Sequence, residues 1–174
     1  MRTKLLALAL VAAASAALAQ PAALKPPLAG LGFLVGDWTS GEGKVADTGG
    51  TSIGTSKITV EADGSALLRH DRNSLFDAHG KPAGGFSQIM LIYPEGGTVH
   101  ADYSDGEGHV IHYTSAAVTP GHAVVFTSPA TGAPGFRLAY TLTAKGDLDV
   151  DFGMLPPGGG ALRPIANGTL HKGR

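Results

Sequence analysis

The sequence predicts an all-β fold, a single antiparallel up-and-down β-barrel of about 8–10 strands that follows a cleaved signal peptide. Apolar and polar residues alternate with period two over most of the chain, which is typical of half-buried strands. Short glycine-bearing turns separate these segments, and short turns connect antiparallel neighbours. A meander of this kind has two exposed edges unless it closes, so a barrel is favoured over the alternative, a two-sheet sandwich.

Composition bounds the function. The chain has 174 residues, which predicts one domain. It has no cysteine, which excludes disulfides, cysteine-ligated zinc, iron–sulfur clusters and thiol catalysis. A formal net charge of -1 provides no basic footprint for nucleic acid, so no nucleic-acid partner is predicted.

The N-terminus has the pattern of a secretory signal peptide over residues 1–19. Arg2 and Lys4 form a positive region, Leu5–Ala14 is apolar, and Ala17–Ala19 is a small-x-small cleavage site. The apolar run is shorter than the roughly 20 residues of a membrane span, so no span is expected. We therefore expect a periplasmic or secreted protein, and cleavage of the 174-residue chain leaves 155 residues.

The remaining elements follow in order. Residues 20–30 form a linker rich in proline and alanine, and residues 31–174 form the barrel domain. An apolar cluster over Leu28–Leu34 indicates one helical turn before the first strand. The predicted strands are Trp38–Val45, Ile53–Glu61, Ala66–Ser74, Phe86–Tyr93, Thr98–Ser104, His109–Val118, Ala123–Thr127, Phe136–Thr143, Leu148–Met154 and Ile165–Lys172.

One predicted strand is apolar on both faces, and both faces are therefore expected to be covered. Phe86, Met90 and Ile92 lie on one face, and Ile89, Leu91 and Tyr93 lie on the other. The covering element is either the Leu28–Leu34 segment, which we favour, or a second copy of the chain. A homodimer would use Phe86, Ile89, Leu91 and Tyr93.

The stretch from Leu31 to Gly43 reads LGFLVGDWTSGEG. It resembles the opening of the calycin-like β-barrels, the lipocalins and above all the nitrobindin-like and related exported bacterial barrel proteins. The glycine lets the strand enter tightly, and the tryptophan is a large apolar plug with one N–H. The resemblance implies that Trp38 closes one end of the barrel. It also implies a late basic residue packed over Trp38, for which Arg163, Lys172 and Arg174 are candidates.

The same resemblance implies a possible cofactor. In nitrobindin-like proteins a histidine near the C-terminus ligates haem iron, and the late histidine of this chain is His171. Haem is thus an alternative ligand, with His171 or His112 as the axial residue.

The hairpin around Asp105–Gly108 determines which histidines face inward. Pairing Ser104 with His109 places Tyr103 and His112 on the more apolar face, which is the predicted interior. His112 is then either a satisfied buried residue or a polar anchor in a ligand cavity. A change of one residue in register would reverse this assignment. His100 and His109 lie about 13 Å apart, too far to share a metal.

The leading hypothesis is an exported, non-enzymatic barrel that binds a small apolar ligand. Trp38, Tyr103, His112 and His171 are the predicted ligand-binding residues. The alternatives are a haem-binding nitrobindin-like protein and a packed barrel that acts as a dimeric interaction module. The sequence has no nucleophile elbow, P-loop, His-Glu-x-x-His or EF-hand pattern, so it indicates no catalytic residue and no metal ligand.

Overall fold

The structure, a computed structural model, describes residues 22–46 and 48–173. The predicted signal peptide and Arg174 lie outside the described residues. A 3₁₀ helix over Leu28–Leu34 precedes the sheet, and a 3₁₀ turn over Ala62–Gly64 lies within it. The strands are β1 (Gly36–Ser40), β2 (Gly43–Val45), β3 (Gly50–Glu61), β4 (Ala66–Phe76), β5 (Pro82–Glu95), β6 (Thr98–Asp105), β7 (Val110–Tyr113), β8 (Ser115–Thr119), β9 (Ala123–Thr127), β10 (Gly135–Leu142), β11 (Leu148–Leu155) and β12 (Arg163–Lys172). No helix among these residues is long and apolar enough to cross a membrane.

The strands form one antiparallel meander that closes on itself. β1 pairs with β3 on one side and with β12 on the other, so the first and last strands are neighbours. β7 and β8 are the two ends of the hydrogen-bonded order, and only Thr114 separates them. The Thr114 amide donates to the Thr127 carbonyl at 3.1 Å. β7 and β8 are therefore one bent strand that pairs first with β6 and then with β9, which completes the barrel.

The predicted all-β antiparallel barrel is confirmed, and so is its strand number. β2 pairs with β3 and β12, as β1 does, so β1 and β2 are two parts of one interrupted strand. Counting β1–β2 and β7–β8 once each reduces the 12 segments to a circuit of about ten strands.

The N-terminal 3₁₀ helix fills one end of the barrel, which we call the closed end. Leu28, Leu31 and Leu34 are fully buried in the core. Leu24 packs against the same core, and the Lys25 amide donates to the Gly64 carbonyl at 2.9 Å. Contacts with the barrel therefore begin within the segment predicted as a linker.

Trp38 completes the closed end. Its side chain is buried, and its indole Nε1 donates to the Leu34 carbonyl at 2.9 Å. The Lys172 ammonium lies 5.3 Å from the centre of the indole ring, within the range of a cation–π contact. Gly36 enters the strand at φ +146°, and a Cβ there would lie 3.4 Å from the Lys172 side chain. Lys172 is thus the basic residue that packs over the tryptophan.

The β6–β7 hairpin differs from the prediction by one residue. Ser104 pairs with the residue after His109 rather than with His109 itself. Asp105 Oδ1 accepts hydrogen bonds from the amides of Glu107 and His109, each at 3.0 Å. Gly108 adopts a φ of +91°. The loop consists of the three residues between Asp105 and His109, and it ends in a glycine in the left-handed conformation. It is one residue longer than the loop that the predicted pairing of Ser104 with His109 would give.

The longer loop reverses the faces of β7. Ile111 and Tyr113 point into the barrel, whereas Val110 and His112 point outward. The prediction that His112 faces the interior is therefore wrong. The prediction for β6 is correct, because Tyr103 is part of the inner wall.

The favoured cover over the outer face of β5, the Leu28–Leu34 segment, is also wrong. The Leu28–Leu34 segment occupies the closed end, and Ile89 and Leu91 remain 46% and 40% exposed. Phe86 points inward and lines the barrel cavity, so it does not belong to the outer face. Tyr93 is on the outer face, where its ring stacks on His100.

Candidate functional site

The half of the barrel away from Trp38 encloses a cavity of about 390 Å³. Its rim is formed by strand ends and a loop that lie far from the closed end, among them Thr48, Leu75 and Ile165. Its wall is mainly apolar, with Phe86, Leu138 and Phe152 among the larger side chains. The volume lies within the range of small-molecule sites in proteins, which is about 300–1,000 Å³.

A buried arginine forms the floor of this cavity. Arg69 extends from β4 across the barrel, and its Nη1 donates a hydrogen bond to the Tyr140 hydroxyl on β10. Its Nε lies 3.1 Å from Asp71 Oδ2, and the Arg69 side chain is only 5% exposed. A buried charge is stable only with such partners. The Arg69–Tyr140 contact separates the cavity from the packed core below it.

The protonation states of the floor follow from burial and from Asp71. Burial is the largest single influence and would lower the pKa of Arg69, but Asp71, Tyr140 and Tyr113 together outweigh it and hold that pKa above its ordinary value. Burial raises the pKa of Tyr140 and Tyr113, and it raises that of Tyr103 together with a hydrogen bond to Asp105. The floor therefore carries a guanidinium ion and neutral phenols at physiological pH.

A chain of hydrogen bonds connects the floor to the surface. Asp71 Oδ2 accepts from Gln88 Nε2 at 2.6 Å. The Tyr103 hydroxyl lies 2.7 Å from Gln88 Oε1 and 2.9 Å from Asp105 Oδ2, so its proton has two acceptors to choose between. Asp105 Oδ2 in turn lies 2.9 Å from Nδ1 of the exposed His109.

The outer end of this chain is an ion pair. Desolvation works against the ionised Asp105 carboxylate, but hydrogen bonds from the His109 amide and ring, the Tyr103 hydroxyl and the Glu107 amide together outweigh it and lower the pKa of Asp105. The hydrogen bond to Asp105 raises the pKa of His109. Glu107 lies beside them, and one carboxylate oxygen or ring nitrogen from each of the three side chains lies within 4.8 Å of those of the other two.

The structure brings one of the four predicted ligand-binding residues, Tyr103, to the cavity wall. Trp38 lies below the floor, where it closes the barrel. His112 is on the outer surface with Nδ1 2.6 Å from Asp102 Oδ1.

His171 is also on the outside. It lies in an open groove of about 740 Å³ on the outer wall, and its Nδ1 is 3.1 Å from Asp147 Oδ1. The side chain is 54% exposed.

These positions bear on the haem that the resemblance implies. Within residues 22–46 and 48–173, no histidine lines the cavity. His112 and His171 both point away from it. The residues of the cavity therefore do not fit a haem held by an axial histidine.

Sequence reasoning missed the residues that form the floor. Arg69 and Asp71 lie in the run Arg69–Arg72, which has the pattern of a charged strand end. A signal that they are buried was present, because Arg69 and Asp71 lie two and four residues after the buried Leu67 and therefore on the same face of the strand. Tyr140 alternates with Phe136, Leu138 and Leu142 on the apolar face of its strand, a pattern that indicates no role for its hydroxyl.

No protein-family model matches the chain, and no curated protein matches it by sequence. Solved structures do match the chain by their fold. The crystal structure of Rv2717c from M. tuberculosis matches with a TM-score of 0.59 and 16% identity, over 87% of this chain and 99% of that one. The structure of EF1p2_mFAP2b bound to DFHBI matches with a TM-score of 0.43 and 15% identity, over 83% and 97%, which is too loose a likeness to bear on the fold.

The class of fold is therefore established. The chain is an antiparallel β-barrel whose fold is similar to that of Rv2717c, in agreement with the fold that the Gly36–Trp38 motif implies. Its particular form has one end closed by Trp38 and the 3₁₀ helix, and a cavity at the other end with Arg69 as its floor.

Proposed function

We propose that the protein is an exported, non-enzymatic barrel that binds a small, largely apolar molecule in the cavity above Arg69. The cavity carries this proposal, because it is of ligand size, mainly apolar and bounded by a few polar groups at one end. Trp38 and the 3₁₀ helix fill the opposite end, so a ligand enters through the rim near Thr48 and Leu75.

Export rests on the pattern of residues 1–19 and places the protein in the periplasm or outside the cell. Native mass spectrometry of the protein, expressed with its own leader, tests this directly. We expect a chain that begins at Gln20 and, in part of the sample, an added mass of a small molecule. If the protein recovered after fractionation of the cells still carries residues 1–19, export is contradicted.

Binding is tested with a cavity-filling variant. Ala166 faces the cavity, whereas Ala117 faces solvent on β8, so Ala166→Phe and Ala117→Phe form a matched pair. We expect para-propylphenol to shift the NMR signals of cavity residues in the wild type and in Ala117→Phe. Ala166→Phe should bind at least tenfold more weakly, because its ring occupies the site. Shifts confined to the outer wall, or equal binding by both variants, contradict the proposal.

A second candidate function is a dimeric interaction module, and the exposed outer face of β5 favours it. Ile89 and Leu91 are exposed there, and Ser104 connects Ile89 to the 58%-exposed Val110 in the same cross-strand row. Adjacent exposed apolar side chains are typical of contact surfaces. The second copy would cover Ile89, Leu91 and Tyr93.

Sedimentation velocity distinguishes a dimer from a monomer. We expect a dimer for the wild type and a monomer for Ile89→Lys. Ile53→Lys is the matched control, because Ile53 is 44% exposed elsewhere on the barrel, and it should remain a dimer. A wild type that sediments as a monomer at millimolar concentration overturns this candidate and leaves the binding proposal intact.

A further inference from the structure

We propose that the cavity selects neutral ligands whose single polar head both donates and accepts hydrogen bonds, such as phenols or alcohols, and that the head binds at the Arg69–Asp71 pair beside Tyr113. This inference rests on the proposed function and adds the chemical class of the ligand. It follows from the charge of the floor and from the hydrogen-bonding groups that the floor leaves without partners.

The first step is the charge of the cavity. Arg69 and Asp71 are the charged side chains among the described residues that line it. They are paired with each other at 3.1 Å, so the two charges cancel. A carboxylate ligand would bring a second negative charge next to Asp71, in surroundings where like charges repel more strongly than in water. A cationic ligand would meet the same difficulty with Arg69.

The second step is the set of groups without partners. Asp71 Oδ1 is buried and accepts no hydrogen bond from the described residues. Tyr113 is 2% exposed and lines the same cavity as Arg69 and Asp71, and its hydroxyl makes no hydrogen bond with the described residues. The lining of the cavity thus has a spare acceptor at Asp71 Oδ1 and a spare hydroxyl at Tyr113, while Arg69 Nε is held by Asp71 Oδ2 as an ion pair without a hydrogen bond.

The third step is the ligand head that matches these groups. A hydroxyl donates one hydrogen bond and accepts others, so it satisfies Asp71 and Tyr113 together. A carboxylate only accepts, and a hydrocarbon does neither, so each leaves a buried polar group unsatisfied. Leaving such a group unpaired costs more than forming the bond gains, which makes the hydroxyl the preferred head.

Three probes that share a propylbenzene core test this preference at neutral pH by calorimetry or NMR. They are para-propylphenol, propylbenzene and para-propylbenzoate. We expect the phenol to bind about fivefold to tenfold more tightly than propylbenzene, and at least tenfold more tightly than the benzoate. Equal binding of the phenol and propylbenzene, or tighter binding of the benzoate, overturns the inference. If none of the three binds, the proposed binding function itself fails.

Two variants test the residues. Asp71→Asn keeps the shape of the side chain but leaves Arg69 without its counter-charge, so the benzoate should gain about tenfold relative to the phenol. Asp151→Asn, the same change on the outer face of β11, should leave the ratio unchanged. A ratio that does not move in a folded Asp71→Asn protein contradicts the inference.

Tyr113→Phe keeps the ring that packs at 6.0 Å from Phe126 and removes only the hydroxyl. The advantage of the phenol over propylbenzene should fall to less than about twofold, with the affinity for propylbenzene unchanged. This variant decides the question if Asp71→Asn does not fold. An undiminished advantage of the phenol would show that the Tyr113 hydroxyl plays no part in binding and would overturn the assignment.

Discussion

Arg69 determines where the packed core of the barrel ends and the cavity begins. Its neighbours along the strand and across the sheet, Leu67 and Met90, are fully buried. The guanidinium is too polar to join that core, so it extends across the barrel to Tyr140 and pairs with Asp71. A buried ion pair of this kind adds little net stability, but removing one partner leaves the other charge exposed to an apolar environment.

A double-mutant cycle measures this at Arg69 and Asp71. Arg69→Met should lower the free energy of unfolding by about 3–5 kcal/mol, because it leaves Asp71 unpaired. Arg69→Met combined with Asp71→Leu should cost about 1 kcal/mol, since no charge then remains buried. Urea denaturation provides both values. Additive costs for the two substitutions would contradict the pairing.

His109 is expected to titrate above its ordinary value of about 6.5, because Asp105 stabilises the imidazolium. The histidine contribution to stability is therefore complete below the pKa of the unfolded chain and is lost as the pH rises through the folded value. The contribution of Asp105, whose pKa is lowered, is present above its unfolded pKa and is lost as the pH falls through the folded value. The pair therefore stabilises the fold most in mildly acidic solution.

NMR titration of the His109 ring tests this. Asp105→Asn should return the pKa of His109 to its ordinary value. Glu107→Gln is the control and should lower it less, because Glu107 lies 3.9 Å from the ring and makes only a charge interaction. An unshifted His109 in the wild type would refute the ion pair.

At the scale of elements, the β6–β7 turn determines which side chains of β7 the cavity receives. The left-handed Gly108 and the Asp105 carboxylate hold a loop that places Tyr113 inside and His112 outside. A loop shorter by one residue would exchange them. The backbone conformation of a turn that does not touch the cavity thus decides which side chains of β7 line it.

Two glycines of this turn provide a matched test. Gly108→Ala should cost about 1–2 kcal/mol, because φ is +91° there and no atom lies close enough to add a clash. Gly106→Ala should change stability by less than about 0.5 kcal/mol, since its Cβ would meet Ser87 O at an ordinary 3.7 Å. Thermal unfolding of the two variants measures the difference, and equal midpoints would contradict the assigned backbone of the turn.

The same elements show what the sequence could and could not predict. Alternation predicted most of the strands and the inner face of β6, and the Gly36–Trp38 motif predicted that Trp38 closes the barrel, because each depends on local periodicity or a local motif. The face of β7 depended on one residue of turn length, and Asp-Gly-Glu-Gly is compatible with either loop. The Arg69–Tyr140 contact joins residues 71 positions apart across the barrel, so no local pattern contains it.

At the scale of the whole molecule, the barrel is asymmetric along its axis. The closed end contains the fully buried side chains of the core, whereas the other end surrounds the cavity. Stability is expected to differ accordingly, because amides exchange by local opening where few buried contacts hold the strands together. β3 and β4 pair over almost their whole length and run through both halves, so they report on each.

Native-state hydrogen exchange along this pair tests the asymmetry. The amides of Ile58 and Leu67, at the closed end, should exchange only by global unfolding. Those of Ser52 and Leu75, beside the cavity, should exchange with a lower free energy of opening. A saturating ligand should raise the free energy of opening at Ser52 and Leu75 more than that at the closed end. Equal opening free energies at both ends would contradict a rigid closed end and a softer cavity end.

The pairing of β1 with β12 has a consequence for the order of events during synthesis. The first strand to leave the ribosome has the last strand as its partner, so the barrel cannot close until Lys172 has been made. Contacts so distant in sequence slow folding. For a chain exported as proposed, this delay keeps the polypeptide threadable until a translocation channel has taken it up. The closure that completes the barrel thus also delays its folding until the last strand is available.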